Sequence, residues 1–439
     1  MNIKQIVAAV PDYQFFFSPD AMLERTDCLH QQYPASLTRT VLGKSRFGAE
    51  IEMITMGHGK YSVMIVGAPH PHELVGTMTA DFLMTRFCEQ PALLESTNAT
   101  WHFIKMIDPD GVQLNSGWLG QPLSLSDYFS SFFRPPLWRQ AEFTFPFIKG
   151  EHRFSDSTPE NHAWKKALLL TKPDLLYSTH NCEFGGVFYF TSDGLPELDR
   201  ELMHLTRQFH LTEDTTGEYG AIPKPDLPGI FAFPDEIEES IREQFNDKNH
   251  LLMPTGDSSA GYSEKKFGTF SLIAEVPYWR LAKREADIDV ADVIRKTNAL
   301  KSDGEKLADK FLPLLQNLTS RDALLLLEAL LVPKIDHAPQ NEKVIDNCYS
   351  ALADYLLAMR RPSMLCKLTE IAWKVDKLPD AENMFCEVQQ FHRQSINAIE
   401  DMHFLAPVPL RELVQLQAEA ALISLKHLQT DHRGRNSQN

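Results

Sequence analysis

The fold is decided by the stretch at residues 62–88, which reads SVMIVGAPHPHELVGTMTADFLMTRFC. It opens with a short apolar run, residues 62–67, of the kind found in strands that are buried on both faces of a sheet. Apolar residues then recur at helical spacing from 73 to 88. A buried strand followed directly by an amphipathic helix predicts an α/β domain.

The same alternation continues on the C-terminal side of this stretch. Further strands are predicted at 101–107, 174–180 and 269–276, and helices at 160–171 and 196–210. We therefore expect an α/β fold with a mixed, mostly parallel sheet that is flanked by helices. Ligands in such folds gather at the carboxyl ends of the strands, so the polar residues there are the first candidates for a site.

Glycine content divides the chain in two. All but two of the 21 glycines precede residue 281, and the exceptions are Gly304 and Gly434. Because glycine-rich turns belong with strands, we predict an α/β domain over residues 1–284 and an all-helical C-terminal extension over 285–439. Five or six helices are expected between about 285 and 428, with Pro362, Pro379 and Pro409 separating the later ones.

Charge and cysteine usage limit the possible partners and compartments. The chain of 439 residues has 43 basic and 59 acidic residues, for a net charge of −16. An acidic surface argues against nucleic acid or an anionic membrane as the main partner. No apolar run is long enough for a membrane span. The six cysteines form no CxxC pair, which favours reduced thiols and a cytoplasmic location.

Metal-type ligands follow two of the predicted strands. His70 and Glu73 come after the strand at 62–67, and His180 ends the strand at 174–180. A three-residue spacing lets His70 and Glu73 face one point around the first turn of the following helix. Two imidazoles and a carboxylate suit zinc and leave a fourth position open, as in catalytic sites. We therefore predict one zinc ion per chain.

Competing motifs fail on single residues. The segment at 72–76 begins like HExxH but ends on Gly76, and the cysteine spacing excludes four-cysteine zinc sites. The segment at 256–260 nearly matches the nucleophile elbow of serine hydrolases, but Ala260 stands where glycine is required. The segment before Lys60 lacks the first glycine of a phosphate loop.

Four segments in order resemble the carboxypeptidase A-type zinc peptidases, or funnelins, and their bacterial branch in particular. Gly67-Ala-Pro-His70-Pro-His-Glu73 is similar to the zinc-binding HxxE segment, and Asp108-Pro-Asp-Gly111 is similar to the NPDG-type turn. His180-Asn-Cys-Glu-Phe-Gly-Gly resembles the segment with the third zinc ligand, and Ser271-Leu-Ile-Ala-Glu275-Val-Pro-Tyr resembles the strand with the catalytic glutamate. The resemblance implies that His70, Glu73 and His180 bind zinc and that Glu275 is the catalytic base. It spans about 62–280 and does not cover the helical extension.

The substrate-binding residues are less clearly marked. The family's Asn-Arg pair after the NPDG-type turn is not recognisable, so we choose Arg134, in an aromatic setting before two prolines, as the catalytic arginine and Arg139 as the next candidate. A guanidinium suits a terminal carboxylate or an oxyanion. The segment at 255–262 stands where the family builds its specificity pocket, which predicts substrate contacts from Ser258, Ser259 and Tyr262.

Three functions remain open at this point. The first is a zinc metallocarboxypeptidase that acts on peptides with zinc-activated water and Glu275 as general base. The second, on the same fold, is a zinc-dependent deacylase of N-acyl amino acids. The third is a non-catalytic binding or assembly protein, although the presence of Glu275 argues against a degenerate site. The helical region is also a possible surface for a homo-oligomer.

Overall fold

A ten-stranded mixed sheet forms the centre of the molecule. The computed structural model describes residues 2–149, 152–217, 222–233, 255–331 and 347–430. The strands are β1 (Leu37–Lys44), β2 (Glu50–Met56), β3 (Tyr61–Val66), β4 (Ala99–Ile104), β5 (Phe147–Lys149), β6 (His152–Phe154), β7 (Leu175–Phe184), β8 (Phe188–Thr191), β9 (Ile222–Pro223), β10 (Ile230–Ala232), β11 (Phe270–Leu281) and β12 (Leu405–Pro407).

Helices cover both faces of this sheet and form the C-terminal region. Within the described residues the helices are α1 (Ile3–Val7), α2 (Pro19–Gln32), α3 (Val75–Glu89), α4 (Pro91–Ser96), α5 (Pro109–Leu114), α6 (Leu125–Ser130), α7 (Pro159–Thr171), α8 (Pro196–Gln208), α9 (Ser259–Phe267), α10 (Val290–Leu315), α11 (Arg321–Leu330), α12 (Cys348–Lys374), α13 (Ala381–Glu400) and α14 (Leu410–Thr430).

The predicted sheet type is confirmed. The strand order is β1-β2-β4-β3-β7-β11-β8-β10-β9, with β12 against β11, and β5 and β6 form a separate hairpin. The central strands β4, β3, β7 and β11 are mutually parallel, while β1, β2, β8 and β12 each run antiparallel to a neighbour. All four strands expected from the sequence belong to this parallel centre, so their carboxyl ends meet along one edge.

Burial on both faces explains the apolar run of β3. Val63 and Ile65 pack into the larger core, and Met64 and Val66 pack into a second core on the other face. Each of these four side chains is fully buried. A strand that is covered on both sides needs apolar residues at every position, which is the pattern that the sequence shows.

The C-terminal region is helical, with one departure. The described part of this region, 285–331 and 347–430, contains five helices, in agreement with the predicted number. However, residues 405–407 form β12, which pairs antiparallel with β11 through Trp279 and Pro407. Helix α14 then packs on the central sheet and its helix α3. The helices α10–α13 therefore lie in the sequence between two strands of the same sheet, β11 and β12. The domain boundary at 284/285 stays a prediction.

Pro362 does not separate two helices as expected, because it lies inside α12. Both Pro362 and the facing Gly304 on α10 are buried. A Cβ atom on Gly304 would approach the Pro362 ring to 3.2 Å, so the glycine allows the two helices to pack closely at this point. No helix in the described ranges combines the length and apolar character needed to cross a membrane.

His392 makes the helical region sensitive to acid. Burial lowers the pKa of His392 from 6.5 to about 4, and its Nε2 atom is 3.0 Å from the Ser363 hydroxyl. Between these two pKa values the unfolded chain binds more protons than the folded one, so stability falls as the pH falls. When the pH falls from 7.5 to 5, the free energy of unfolding should therefore decrease by about 2 kcal/mol less in His392→Gln than in the wild type.

Urea unfolding at several pH values measures this difference, with the exposed His58→Gln as control. A wild-type pH dependence in His392→Gln would show that His392 does not titrate on unfolding.

Candidate metal centre

Two candidate ligands lie in the connection between β3 and α3. His70 and Glu73 come after Val66 ends β3 and before Val75 begins α3, so their expected placement on the first helical turn is wrong. The Glu73 N–H instead donates to the His70 carbonyl at 2.9 Å and closes a turn. Ala68 has a φ of +52°, a left-handed conformation that costs energy in a residue with a side chain and recurs at functional sites.

The other two predicted residues lie on neighbouring parallel strands. His180 is on β7 and Glu275 is on β11, and the two are paired directly in the register of these strands. Residues paired across parallel strands point to the same face of the sheet. His180 and Glu275 are therefore neighbours across the two strands, although they are far apart in the sequence.

These side chains form one buried cluster. Ligand atoms of His70, Glu73 and His180 lie within 4.8 Å of one another. Glu73 Oε2 is 3.0 Å from His180 Nδ1, and Glu275 Oε1 is 3.5 Å from the same nitrogen. None of the four residues is more than 3% exposed. The structure thus brings together the three predicted metal ligands and the predicted base.

The chemistry of this cluster fits a zinc ion. Within the described residues, the buried Nδ1 atom of His70 has no hydrogen-bond partner, although buried polar atoms normally have one. Burial, and then the charge of Arg134, lowers the pKa of His70 well below its ordinary value, so the ring is neutral at pH 7. A neutral imidazole is the form that binds a metal, and a His2Glu set is a known zinc ligand set.

Tyr278 and Gly76 hold the β3–α3 connection against the sheet. The Tyr278 hydroxyl donates to the His72 carbonyl at 2.8 Å and accepts the Leu74 N–H at 2.7 Å. A Cβ atom on Gly76 would lie 1.6 Å from Thr179 Oγ1, so only glycine allows α3 to begin this close to β7. The connection that carries two candidate ligands is therefore fixed by contacts to β7 and β11.

The Glu73 carboxylate is held from two sides. Its Oε2 atom accepts the Asn181 N–H at 3.2 Å, and its Oε1 atom accepts a hydrogen bond from Arg134 Nη1 at 3.2 Å. The Asn181 side chain in turn accepts the Val75 N–H at 3.1 Å, which ties β7 to the first residue of α3. These contacts fix the orientation of a predicted ligand.

A second carboxylate stands behind His180. Ser178 Oγ is 3.1 Å from His180 Nε2 and donates to Glu142 Oε2 at 2.8 Å. The Ser259 hydroxyl donates to the other Glu142 oxygen. Burial raises the pKa of Glu142, while His180 and these hydroxyl donors oppose the rise. Such partners orient a ligand histidine, because a hydrogen bond at one ring nitrogen directs the other toward the metal.

The predicted pocket residues start helix α9. Ser258 caps this helix by accepting the Gly261 N–H at 3.0 Å. Ser259 is buried against Glu142, and Tyr262 packs on the Phe145 ring with centroids 5.0 Å apart. Ser259 thus reaches the cluster through Glu142, while Ser258 and Tyr262 have structural contacts. Their substrate contacts stay predictions.

The two predicted arginines lie in different places. Arg134 contacts the ligand Glu73, and its side chain is 21% exposed. Arg139 instead donates from Nε to Glu328 Oε1 of α11 at 2.6 Å, and within the described residues it has no hydrogen bond to the cluster. Glu328 also pairs with Arg46. The Arg139 guanidinium therefore ties α11 to the α/β part of the chain, and its role in substrate binding stays a prediction.

Sequence reasoning missed Glu142, Tyr278 as a hydrogen-bonding residue, and Arg360 of α12. Glu142 lies on a single 3₁₀ turn with no motif around it. Arg360 pairs with Glu183, three residues beyond His180 on β7. An available signal was the pair Arg360-Arg361 within the largely apolar stretch at 355–366, since charged residues in such a position require partners.

Residues 22–139 match the family model described as zinc carboxypeptidase. The matched range contains His70, Glu73 and Arg134, and it ends before His180 and Glu275. The resemblance stated from the sequence is thereby confirmed. A comparison with curated proteins gave no match.

Three solved structures illustrate what the chain is similar to. A metallo-carboxypeptidase from Burkholderia cenocepacia has 14% identity and a TM-score of 0.37, over 60% of each chain. The carboxypeptidase A from Helicoverpa armigera has 16% identity and a TM-score of 0.36, over 63% of this chain and 70% of that one. A metallo-carboxypeptidase from Pseudomonas aeruginosa has 12% identity and a TM-score of 0.33, over 58% and 59%. The chain thus spans about 60% of the Burkholderia structure, and likenesses this distant carry no argument about activity.

Removing His180 should empty the site. Purified protein is expected to hold about one zinc ion per chain, because three protein ligands leave one open position. His180→Ala should lose most of this metal, as measured by elemental analysis after gel filtration. His102→Ala removes a buried histidine of β4 outside the cluster and should keep the metal. Stoichiometric zinc in His180→Ala would exclude His180 from the site.

Glu142 should matter for metal affinity rather than for stoichiometry. Glu142→Gln keeps the shape of the side chain and removes its charge behind Ser178 and His180. Loss of such an outer partner typically weakens metal binding about 10- to 100-fold. Competition with a chromophoric chelator measures the change, and Glu160→Gln is the matched control at a buried glutamate that accepts the Arg46 N–H. Equal affinity in Glu142→Gln and wild type would remove Glu142 from the ligand support.

Proposed function

Residues 22–139 match the zinc carboxypeptidase family model, and from this premise we propose that the protein is a metallocarboxypeptidase that hydrolyses peptides. The observation that supports it best is the buried His2Glu cluster with Glu275 Oε1 3.5 Å from His180 Nδ1. Three metal ligands and a non-ligand carboxylate beside them are the minimum set for hydrolysis of an amide by activated water.

His70, Glu73 and His180 would hold the zinc ion. When bound, zinc polarises the scissile carbonyl and lowers the pKa of water toward neutrality. The chain supplies the orientation of these ligands through the Tyr278 hydroxyl and through Ser178 and Glu142. Preorganised ligands reduce the reorganisation that the site must undergo during the reaction.

Glu275 is the proposed general base. Its position on β11 next to His180 places a carboxylate at the cluster without making it one of the three ligands. In this role Glu275 accepts a proton from the attacking water and passes it to the leaving amine. The first transfer leaves Glu275 protonated, and the second restores the carboxylate for the next turnover.

Arg134 is the proposed electrostatic partner of the reacting carbonyl. Its Nη1 atom contacts Glu73 Oε1, so the guanidinium lies directly beside the metal ligands. A guanidinium carries five N–H donors, and this contact uses one of them. Among the described residues Arg134 makes no other hydrogen bond, so its remaining donors can face the negative charge that develops on the carbonyl oxygen. Stabilisation of that charge is often the largest contribution to catalysis.

The experiment that tests this function is a substrate screen of the zinc-loaded protein. Peptides with free carboxyl ends are compared with N-acyl amino acids at equal concentrations. Release of single C-terminal residues from the peptides is the expected result. Hydrolysis of N-acyl amino acids alone would replace the peptidase with a deacylase on the same fold. Turnover of neither class by fully metal-loaded protein would count against an enzyme.

We also propose a cytoplasmic location, for which the support is chemical. All six cysteines lie in the described residues and no disulfide joins any of them, as expected in a reducing compartment.

Glu275→Gln separates a base from a structural carboxylate. The amide keeps the shape of the side chain but accepts no proton, so kcat should fall about 100- to 10,000-fold, or roughly 3–5 kcal/mol of barrier. Zinc content should stay at the wild-type level because Glu275 is not one of the three ligands. Elemental analysis and kcat on the substrate found in the screen measure both quantities.

The matched control is Glu50→Gln, at an exposed position of β2, which should leave kcat unchanged. A Glu275→Gln variant with full zinc content and at least about a third of the wild-type kcat would end the proposed mechanism, since loss of a base is expected to cost far more.

A further inference from the structure

A charged side chain of the C-terminal region pairs with the strand that carries the candidate ligand His180. Arg360 on α12 donates from Nε to Glu183 Oε1 at 2.9 Å and from Nη2 to Glu183 Oε2 at 2.6 Å. Glu183 lies on β7, three residues after the candidate ligand His180. A bidentate pair of this kind fixes both the distance and the plane of the carboxylate. The C-terminal end of β7 is therefore held by α12, a helix outside the sheet.

Neighbouring groups connect this pair to the segment that carries His70 and Glu73. The Tyr128 hydroxyl donates to Glu183 Oε1 at 3.0 Å. The Arg360 guanidinium lies 5.5 Å from the Phe132 ring, and Phe132 packs on His72 with centroids 5.0 Å apart. The chain of contacts thus runs from α12 to the residue directly before the ligand Glu73.

The two charges depend on each other. Burial acts to raise the pKa of Glu183, but Arg360 outweighs it, so the pKa lies below its ordinary value. Burial likewise acts to lower the pKa of Arg360, but Glu183 outweighs burial, so the pKa lies above its ordinary value. Removing one partner leaves the other as a buried charge without compensation, which proteins tolerate poorly.

We propose that Arg360 is a positioning residue of the metal centre: its bidentate contact with Glu183 fixes the end of β7 and thereby His180. This inference rests on the proposed zinc site and extends it, because it makes the helical region a part of that site. A second contact from the C-terminal region has the same effect. The buried Gln417 side chain of α14 donates to the His180 carbonyl at 2.9 Å.

The adjacent arginine provides a matched control. Arg361 is also on α12, but it donates to the Leu330 carbonyl at 2.9 Å and pairs with Glu305, both within the helical region. Substitution by lysine keeps the charge and removes the bidentate geometry. Arg360→Lys and Arg361→Lys therefore apply the same chemical change to two neighbours, of which one faces the metal centre and the other does not.

The test measures metal binding, which does not depend on finding a substrate. Zinc affinity is determined by chelator competition, and the absorption spectrum of the cobalt-substituted protein reports ligand geometry. Arg360→Lys should bind zinc at least about tenfold more weakly and show a changed cobalt spectrum, as expected for loss of ligand support. Arg361→Lys should bind within about twofold of wild type with an unchanged spectrum, even where its thermal stability falls.

A double-mutant cycle identifies the partner. With Glu183→Gln as the second substitution, the effects of the two changes on zinc affinity should be clearly less than additive, because either one breaks the same pair. Tyr128→Phe removes one donor to Glu183 without changing a charge. It should weaken zinc binding modestly, and it serves as the deciding variant where Arg360→Lys fails to fold.

Each result has a defined meaning. Wild-type zinc affinity and an unchanged cobalt spectrum in folded Arg360→Lys, or full additivity with Glu183→Gln, would overturn the inference and leave the proposed function intact. Unchanged zinc affinity in Tyr128→Phe would overturn it where Arg360→Lys does not fold. A wild-type protein that binds no zinc would overturn the proposed function together with the inference.

Discussion

The parallel register of β7 is the constraint on which the rest of the site depends. On one side β7 pairs with β3 through Val66 and Ser178, and on the other it pairs with β11 through His180 and Glu275. Because side chains alternate along a strand, a slip of one residue would turn His180 to the opposite face. A hydrogen bond of 2.8 Å from Thr179 Oγ1 to the Val66 carbonyl helps to fix this register.

The metal centre concentrates ionisable groups where water is scarce. Glu73, Glu183 and Glu275 are each at least nine-tenths buried. Moving a charge out of water costs several kcal/mol, even after relaxation of the protein. Here Arg134 and Arg360 each pair with a buried carboxylate, and backbone and hydroxyl donors supply further hydrogen bonds. Part of the interior is thus organised around charge rather than apolar packing alone, and its stability depends on complete pairing.

Local sequence patterns predicted the four central strands and the candidate ligands His70, Glu73 and His180, while the family resemblance singled out Glu275. His70, Glu73, His180 and Glu275 follow or lie on strands that are recognisable by their apolar runs, and parallel pairing brings such residues together. Glu142 and Arg360 were not predictable in this way, because their roles arise from contacts across the fold. Pro362 was misjudged because a helix interior tolerates proline where neighbouring helices pack closely around it, as α10 does at Gly304.

The position of α14 affects the order in which the molecule is assembled. Translation delivers β3, β7 and β11 first, while the residues that form β12 and α14 leave the ribosome more than a hundred residues after β11. Until then the end of β11 that pairs with β12, Trp279 to Leu281, is open, and the side of α3 that packs on α14 is uncovered. The nascent chain must therefore hold an incomplete sheet during synthesis, and chaperones that shield apolar surface would act at this stage.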